Sequence, residues 1–438
     1  MKTSSYFPSK GKKALEKFFD KSSMSRLAKS CGFGVRKAQK ITAYNFVAGF
    51  LLCCAKGANS LGEWARQISL LSGKPLSKQA LWERIHEGTV AFVRSLLEKL
   101  LAKEALKGVK AALFQPFQRV ILHDSTTLHL PDGLRAVFPG SVVRGMQKAI
   151  ARIQSIIELK RMRFVDFALG AYTQNDQSAS PCILSVVKKG DLLIRDLGYF
   201  VLQVLQQLTS QQVYVLSRLR YGVKLSDWWG RLIDLRELLK KGKRVERWVH
   251  IGKKNPVWVR LVMIPLPEEQ AAERVRKAKQ DRDKRLHHDK QCYRWLRYNV
   301  FITTVGKDIW NTAEVARAYG VRWHIEVIFK SWKSGFHMQD LLQEQCTEPC
   351  RVKTTIYLLL FFLCLFMQKL YVRYLDKVQK QTGKFVSLLR LTALFFRNMI
   401  ELLVCSPQKL KEQIILYGCY ERRNDRTNMI ELINQFKN

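Results

Sequence analysis

Between residues 119 and 217 short apolar runs alternate with polar breaks, and this rhythm constrains the fold more than any other feature of the chain. Residues 119–124, 153–159, 163–172, 191–196 and 212–217 are strand-length and apolar, while residues 199–208 have helical character. Strands interrupted by helices imply a mixed α/β layer architecture. A hydrophobic content of 47% supplies the core it needs.

The flanks read differently. Residues 6–106 are helical and basic. Ser60 with Glu63 has the capping-box form, and Ser77 follows the break at Gly73, Lys74 and Pro75, which predicts helices over 61–71 and 78–86. Two short helices joined by a short turn are compatible with helix-turn-helix DNA binding, but any helical hairpin looks this way, and plain helical packing is the preferred reading. Residues 218–297 are looser. They hold Trp228, Trp229, Trp248 and Trp258, strand-like pieces at 247–251 and 257–264, and the start of a charged helical run over 271–290. A strand returns at 298–305, residues 311–333 are helical, and 351–374 form a long apolar helix. The expected organisation is a helical N-terminal DNA-binding region (1–112), an α/β core in two parts (113–218 and 298–345), a β-rich insertion (219–297) and a helical C-terminal region (346–438).

The formal net charge is +39, from 75 Lys and Arg against 36 Asp and Glu. Such a surplus calls for a polyanionic partner, and its spread along the chain favours nucleic acid over an anionic membrane. In the 271–290 run, Arg274, Arg276, Lys277, Lys279, Arg282, Lys284 and Arg285 recur at helical spacing, as for phosphate tracking or a solvated linker helix. The ten cysteines include no CxxC pair and read as apolar thiols of a reducing compartment. Residues 1–20 lack an apolar signal core. The most lipid-like stretch, 356–367, is well short of the roughly 20 residues that cross a bilayer, so it reads as a buried helix. A cytoplasmic protein with access to the nucleoid, and no membrane partner, is expected.

Three carboxylates carry the chemistry. Asp124 and Asp196 each close an apolar run, a placement that projects a side chain from a sheet edge into a cleft. Asp191 is a rival to Asp196, but it begins its run instead of ending it. Hard carboxylate oxygens suit magnesium, which is shared with phosphate oxygens, and two such ions serve phosphoryl transfer. Tyr319, Arg322, Glu326 and Lys333 stand at helical offsets 0, 3, 7 and 14. These fall at roughly 0°, 300°, 340° and 320°, an arc of about 60°. A carboxylate would then share one face with a hydroxyl, a guanidinium and an ammonium, the groups that hold a phosphate. Gly320 is expected to break the helix and turn Tyr319 away.

These residues resemble the DDE transposases of bacterial insertion sequences that carry the Y-(2)-R-(3)-E-(6)-K signature. Tyr319, Arg322, Glu326 and Lys333 match that spacing, and Trp323, Ile325, Phe329 and Lys330 are similar to its flanks. His123, Asp124, Ser125, Thr126, Leu130 and Pro131 resemble the first-aspartate segment, and Asp196, Leu197, Gly198 and Tyr199 the second. The resemblance spans about residues 60–333. It implies an RNase H-like core with a β-rich insertion, for which the long gap between Asp196 and Glu326 leaves room. It also implies catalysis by Asp124, Asp196 and Glu326 on two divalent ions, Mg²⁺ with Mn²⁺ as substitute. Expected DNA contacts are Tyr319, Arg322, Lys330, Lys333, Arg274 and Lys277. The implied partners are double-stranded DNA, as terminal inverted repeats and target, and a second copy in a synaptic dimer. Some members of that family flip a base against an aromatic of the insertion; no tryptophan is given that role here. A catalytically silent DNA-binding regulator and an RNase H-like nuclease are the competing readings, separated by cleavage and joining assays.

Overall fold

The computed structural model describes residues 20–34, 40–55, 57, 60–103, 112–240, 242–252, 255–281, 289–335, 337–343, 347–398 and 406–421. Among the described residues five helices come first: α1 (Lys21–Ser30), α2 (Ala43–Ala55), α3 (Leu61–Ser72), α4 (Lys78–Glu83) and α5 (Glu87–Ala102). Both expected starts form. The Ser60 hydroxyl accepts from the Glu63 amide at 3.1 Å, and the Ser77 hydroxyl from the Ala80 amide at 3.1 Å. Gly73 ends α3 in the left-handed conformation (φ 70°), which glycine adopts without a Cβ penalty.

The strands follow: β1 (Val120–Leu130), β2 (Pro139–Val143), β3 (Met146–Glu158), β4 (Arg163–Ala171) and β5 (Leu192–Arg195). Helix α6 (Leu202–Ser210) leads to β6 (Tyr214–Arg218), β7 (Leu225–Ser226), β8 (Val245–Ile251) and β9 (Val257–Pro265). Then come α7 (Glu268–Gln280), β10 (Tyr298–Thr303), α8 (Thr312–Gly320), α9 (Trp323–Lys330), α10 (Pro349–Phe366) and α11 (Leu388–Arg397). The ten strands of the described residues join one sheet in the order β2-β3-β1-β5-β6-β10-β9-β8-β7, with β4 also on β3. β1 is antiparallel to β3 and parallel to β5, which is parallel to β6. This β4-β3-β1-β5-β6 core is the expected RNase H-like arrangement. β10 is antiparallel to both β6 and β9, so the insertion strands extend the core sheet.

Alternation along β1 gives the sheet two buried faces. Val120, Leu122 and Leu128 lie in the cluster that holds Ile325 and Ile328 of α9. Ile121 lies in the other cluster, with Leu193, Val215 and the α6 residues Val204 and Leu208. Each such side chain stabilises the fold by roughly 1.5–3 kcal/mol when fully buried.

Four expectations need correction. The first strand does not end at Asp124 but runs on to Leu130, because β3 pairs along Ile121–Leu130. The helical run 311–333 is two helices, α8 and α9, followed by a π-helical turn, Ser331–Gly335. The charged run forms α7 only as far as Gln280, and Arg282, Lys284 and Arg285 lie outside the described residues. The apolar stretch 356–367 belongs to a continuous 34-residue helix, Pro349–Thr382, long and apolar enough to cross a membrane by length and composition. Its most apolar window is 67% buried inside the protein, and α10 packs on α5, as a core helix does.

Candidate active site

Parallel pairing of β1 and β5 brings the two aspartates together. The last pair in register is His123 with Arg195, so Asp124 and Asp196 are the next residues of neighbouring strands. β5 ends there, whereas β1 continues beside β3. The side chains therefore emerge where the sheet loses a strand, and a cleft opens. Asp191, fully buried at the other end of β5, is held by the Arg119 guanidinium at 2.5 Å and the Lys188 amide at 2.7 Å. That engagement leaves Asp196 as the β5 carboxylate at the cleft.

Helix α9 packs on β1 and delivers Glu326. Arg322, at the junction before α9, stands among the three carboxylates. It donates to Asp124 Oδ2 at 2.9 Å and to Glu326 Oε1 at 2.6 Å. Its Nε, buried without a hydrogen-bond partner, lies 3.8 Å from Asp196 Oδ1. The Tyr319 hydroxyl donates to the same oxygen at 2.9 Å. Gly320 thus does not remove Tyr319 from the site, although the helix breaks just after it.

The electrostatics follow from this crowding. Burial pushes the Asp124 carboxyl up to about 6, with Asp196 and Asp176 adding to the rise against the Ser125 amide and Arg322. Burial also raises the Tyr319 hydroxyl, reinforced by Asp196. Burial works to lower Arg322, but Asp196, Tyr319, Asp124 and Glu326 together hold it above the ordinary arginine value.

The donor set suits a divalent cation: three carboxylates, all hard oxygen ligands, in a partly dehydrated cleft. Among the described residues no three His, Cys, Asp or Glu side chains lie close enough as they stand to share one ion. The Arg322 guanidinium occupies the middle of the carboxylates and supplies the positive charge they require.

Lys330 and Lys333 are exposed, and their amines make no hydrogen bond or ion pair among the described residues. Partial burial pushes the Lys333 amine below the usual lysine range. Lys333 lies within the π-helical turn, whose wider spiral takes it off the arc drawn for a regular helix. The Arg274 guanidinium is taken up by the Tyr298 carbonyl at 3.3 Å and Asn299 Oδ1 at 2.9 Å, which ties α7 to β10. Lys277 is exposed and 3.4 Å from Glu273. In the insertion Trp228 and Trp229 are exposed, while Trp248 stacks on Trp258 at 6.0 Å.

A second set of residues, absent from the sequence reading as site residues, lies behind the aspartates. Arg195 is buried, donates to Ser180 Oγ at 3.0 Å and the Ser180 carbonyl at 2.5 Å, and is pushed down to about 10 by burial. His123 lies 3.4 Å from it and is lowered by burial and then by Arg195. The Tyr199 ring lies 4.2 Å from the His123 ring, and its hydroxyl donates to Gln154. His123 and Tyr199 were visible as flanks of the two aspartate segments; Gln154, and the Asp176 carboxylate to which it and Arg152 donate, carried no local signal.

The family model described as Transposase DDE domain matches residues 115–365, more than half of the chain and a span within which all three carboxylates fall. The chain belongs to the DDE transposase family. This transposase is 28% identical over 371 residues to the transposase for insertion sequence element IS231B of Bacillus thuringiensis subsp. berliner, covering 78% of this chain and 76% of the relative. It is 29% identical over 372 residues to that of IS231D from B. thuringiensis subsp. finitimus, with the same coverage. To that of IS1151 from Clostridium perfringens it is 27% identical over 356 residues, covering 75% and 74%. Among solved structures it is similar to the piggyBac transposase synaptic complex with hairpin DNA, at a TM-score of 0.41 and 9% identity over 95% of this chain and 87% of that one, a likeness too slight to carry weight. A DDE domain implies dependence on divalent metal ions, in keeping with the donor set above.

Proposed function

We propose that this chain is the transposase of a bacterial insertion sequence, cutting DNA at the element's ends and joining the freed ends to target DNA. The observation that carries the reading is the β1–β5 register, which sets Asp124 beside Asp196 while α9 brings Glu326 to the same guanidinium. These three carboxylates are the catalytic groups and the ligands of two divalent ions, Mg²⁺ with Mn²⁺ as substitute. When bound, the ions supply activation of the attacking hydroxyl and stabilisation of the leaving oxygen.

The chain's own residues do the rest. Tyr319 and Arg322 orient the carboxylates in the absence of DNA, and a phosphate entering the cleft exchanges for those contacts. Arg322 forks onto the phosphate, Tyr319 hydrogen-bonds it, and Lys330 and Lys333 meet the backbone beside it. Lys277 and Arg274 lie on or behind a second basic stripe along α7, and α3 and α4 form a helical pair that addresses the inverted repeat. Two copies pair the two ends, and the reaction takes place on nucleoid DNA in the cytoplasm.

The test is a labelled duplex carrying one element end, with Mg²⁺. The Glu326→Gln variant should bind that end like the unaltered protein. Its cleavage should fall on the order of 10³-fold, about 4 kcal/mol of barrier. Cleavage at the unaltered rate by this variant would remove Glu326 from the mechanism. Binding without any cleavage by the unaltered chain would instead mark a regulator.

A further inference from the structure

We propose that Asp176 is a positioning residue that fixes the separation of Asp124 and Asp196 from the opposite face of the sheet. The proposal rests on the catalytic reading of those two aspartates.

Asp176 opens a single helical turn, Asp176–Ala179, which Asn175 caps by accepting from the Ser178 amide at 2.9 Å. One of its oxygens, Oδ1, accepts three hydrogen bonds: from Ser125 Oγ at 2.8 Å, Arg152 Nη1 at 2.8 Å and Gln154 Nε2 at 3.2 Å. Arg152 Nη1 also lies 3.2 Å from Ser125 Oγ, and its guanidinium sits 4.9 Å from the Tyr172 ring. The other oxygen, Oδ2, packs against Gly198, where a Cβ would stand only 3.1 Å away. Gln154 in turn accepts from the Tyr199 hydroxyl.

Every one of these partners adjoins a catalytic aspartate or braces a neighbour of one. Ser125 follows Asp124 directly, and Gly198 and Tyr199 lie on the turn that begins at Asp196. Successive strand residues point to opposite faces, so Ser125 faces away from the cleft that Asp124 enters. Gln154 is the cross-strand partner of Ser125 and shares its face. Asp176 therefore reaches neither substrate nor reacting atoms. It ties three segments to one carboxylate: the strand bearing Asp124, its neighbour β3, and the turn bearing Asp196. β5 stops pairing with β1 one residue before the aspartates, so the ladder brings Asp124 and Asp196 side by side but does not itself pair them. The Asp176 network braces the chain beyond the end of that ladder. A shift of about 1 Å in such a group is enough to cost a reaction about 10²-fold.

The experiment measures end binding and single-turnover end cleavage separately. Asp176→Ala should cleave about 100-fold more slowly while binding the end like the unaltered protein, and Asp176→Asn, which keeps an acceptor, should recover part of the rate. Ser125→Ala should slow cleavage about tenfold alone and add nothing on top of Asp176→Ala, because neighbours in one network are not additive. The proposal is overturned by an unaltered rate in Asp176→Ala, by parallel loss of binding and cleavage, or by losses at 125 and 176 that multiply. Should Asp176→Ala not fold, Ser125→Ala and Gly198→Ala carry the test; normal cleavage by both overturns it, and slowed cleavage with normal binding supports it. Asp124→Asn is the control: if it still cleaves, the active-site reading itself fails, whatever Asp176 does.

Discussion

Arg322 meets three carboxylates with one guanidinium, whereas Arg195, more deeply buried, has only Ser180 and His123 among its described polar partners. The first is charged at any accessible pH because its neighbours demand it. The second holds its charge against burial with dipoles and with the face of the Tyr199 ring, 5.3 Å from its guanidinium. Glu158 is the acidic counterpart of Arg195. It is 1% exposed at the end of β3, its Oε2 has no hydrogen-bond partner, and the Arg161 guanidinium comes no nearer than 4.0 Å. Burial raises its carboxyl above the usual glutamate range, against the pull of Arg161 and Arg163. A carboxyl raised by folding binds its proton more tightly in the native state. Its contribution is therefore most favourable at low pH and is lost as pH rises through the folded value. Glu158→Gln should raise the thermal midpoint at pH 7 and leave it nearly unchanged at pH 4. A variant less stable than the parent at pH 7 would contradict this account of Glu158.

Single elements explain what the sequence disclosed and what it withheld. The offsets of Tyr319, Arg322 and Glu326 were legible because helical stretches convert spacing into direction: Tyr319 meets Asp196, and Arg322 joins Asp124 to Glu326. The full length of β1 was not legible. Ser125, Thr126 and Thr127 look like a turn in isolation, and only the distant strand β3, paired with each of them, keeps them extended. The partnership of Asp176 with Ser125 was hidden for the same reason, since 51 residues separate them. Gly320 is the instructive case. The chain breaks between α8 and α9 just after it, yet Gly320 itself is helical, its φ is not positive, and a Cβ there would meet nothing. The break therefore does not need glycine. Gly320→Ala should stabilise the protein by roughly 0.4–1 kcal/mol, by restricting the unfolded chain, and leave end cleavage unchanged. A loss of stability in thermal or denaturant melts would show that the junction requires glycine after all.

At the scale of the whole molecule, one sheet spans core and insertion, and the surplus of +39 is the field in which DNA arrives. Net charge alone does not say which cations touch phosphate, because many are already engaged. The Arg276 guanidinium lies on the Glu273 carboxylate of its own helix with two bonds of 2.8 Å. Lys333, by contrast, is exposed on the segment that follows Glu326, and its amine has no partner among the described residues. Each phosphate neutralised releases condensed counterions, so the logarithm of the binding constant falls with the logarithm of salt by about 0.9 per contact. Lys333→Ala should weaken binding of the element end at low salt and make that slope shallower by about one. Arg276→Ala should leave the slope as it is, since its charge is balanced before DNA binds. Titrations of an end duplex over a range of potassium chloride concentrations distinguish the two. An unchanged slope for Lys333→Ala would take Lys333 off the DNA, and a slope altered by Arg276→Ala would mean that the Glu273 pair opens to release a cation for phosphate.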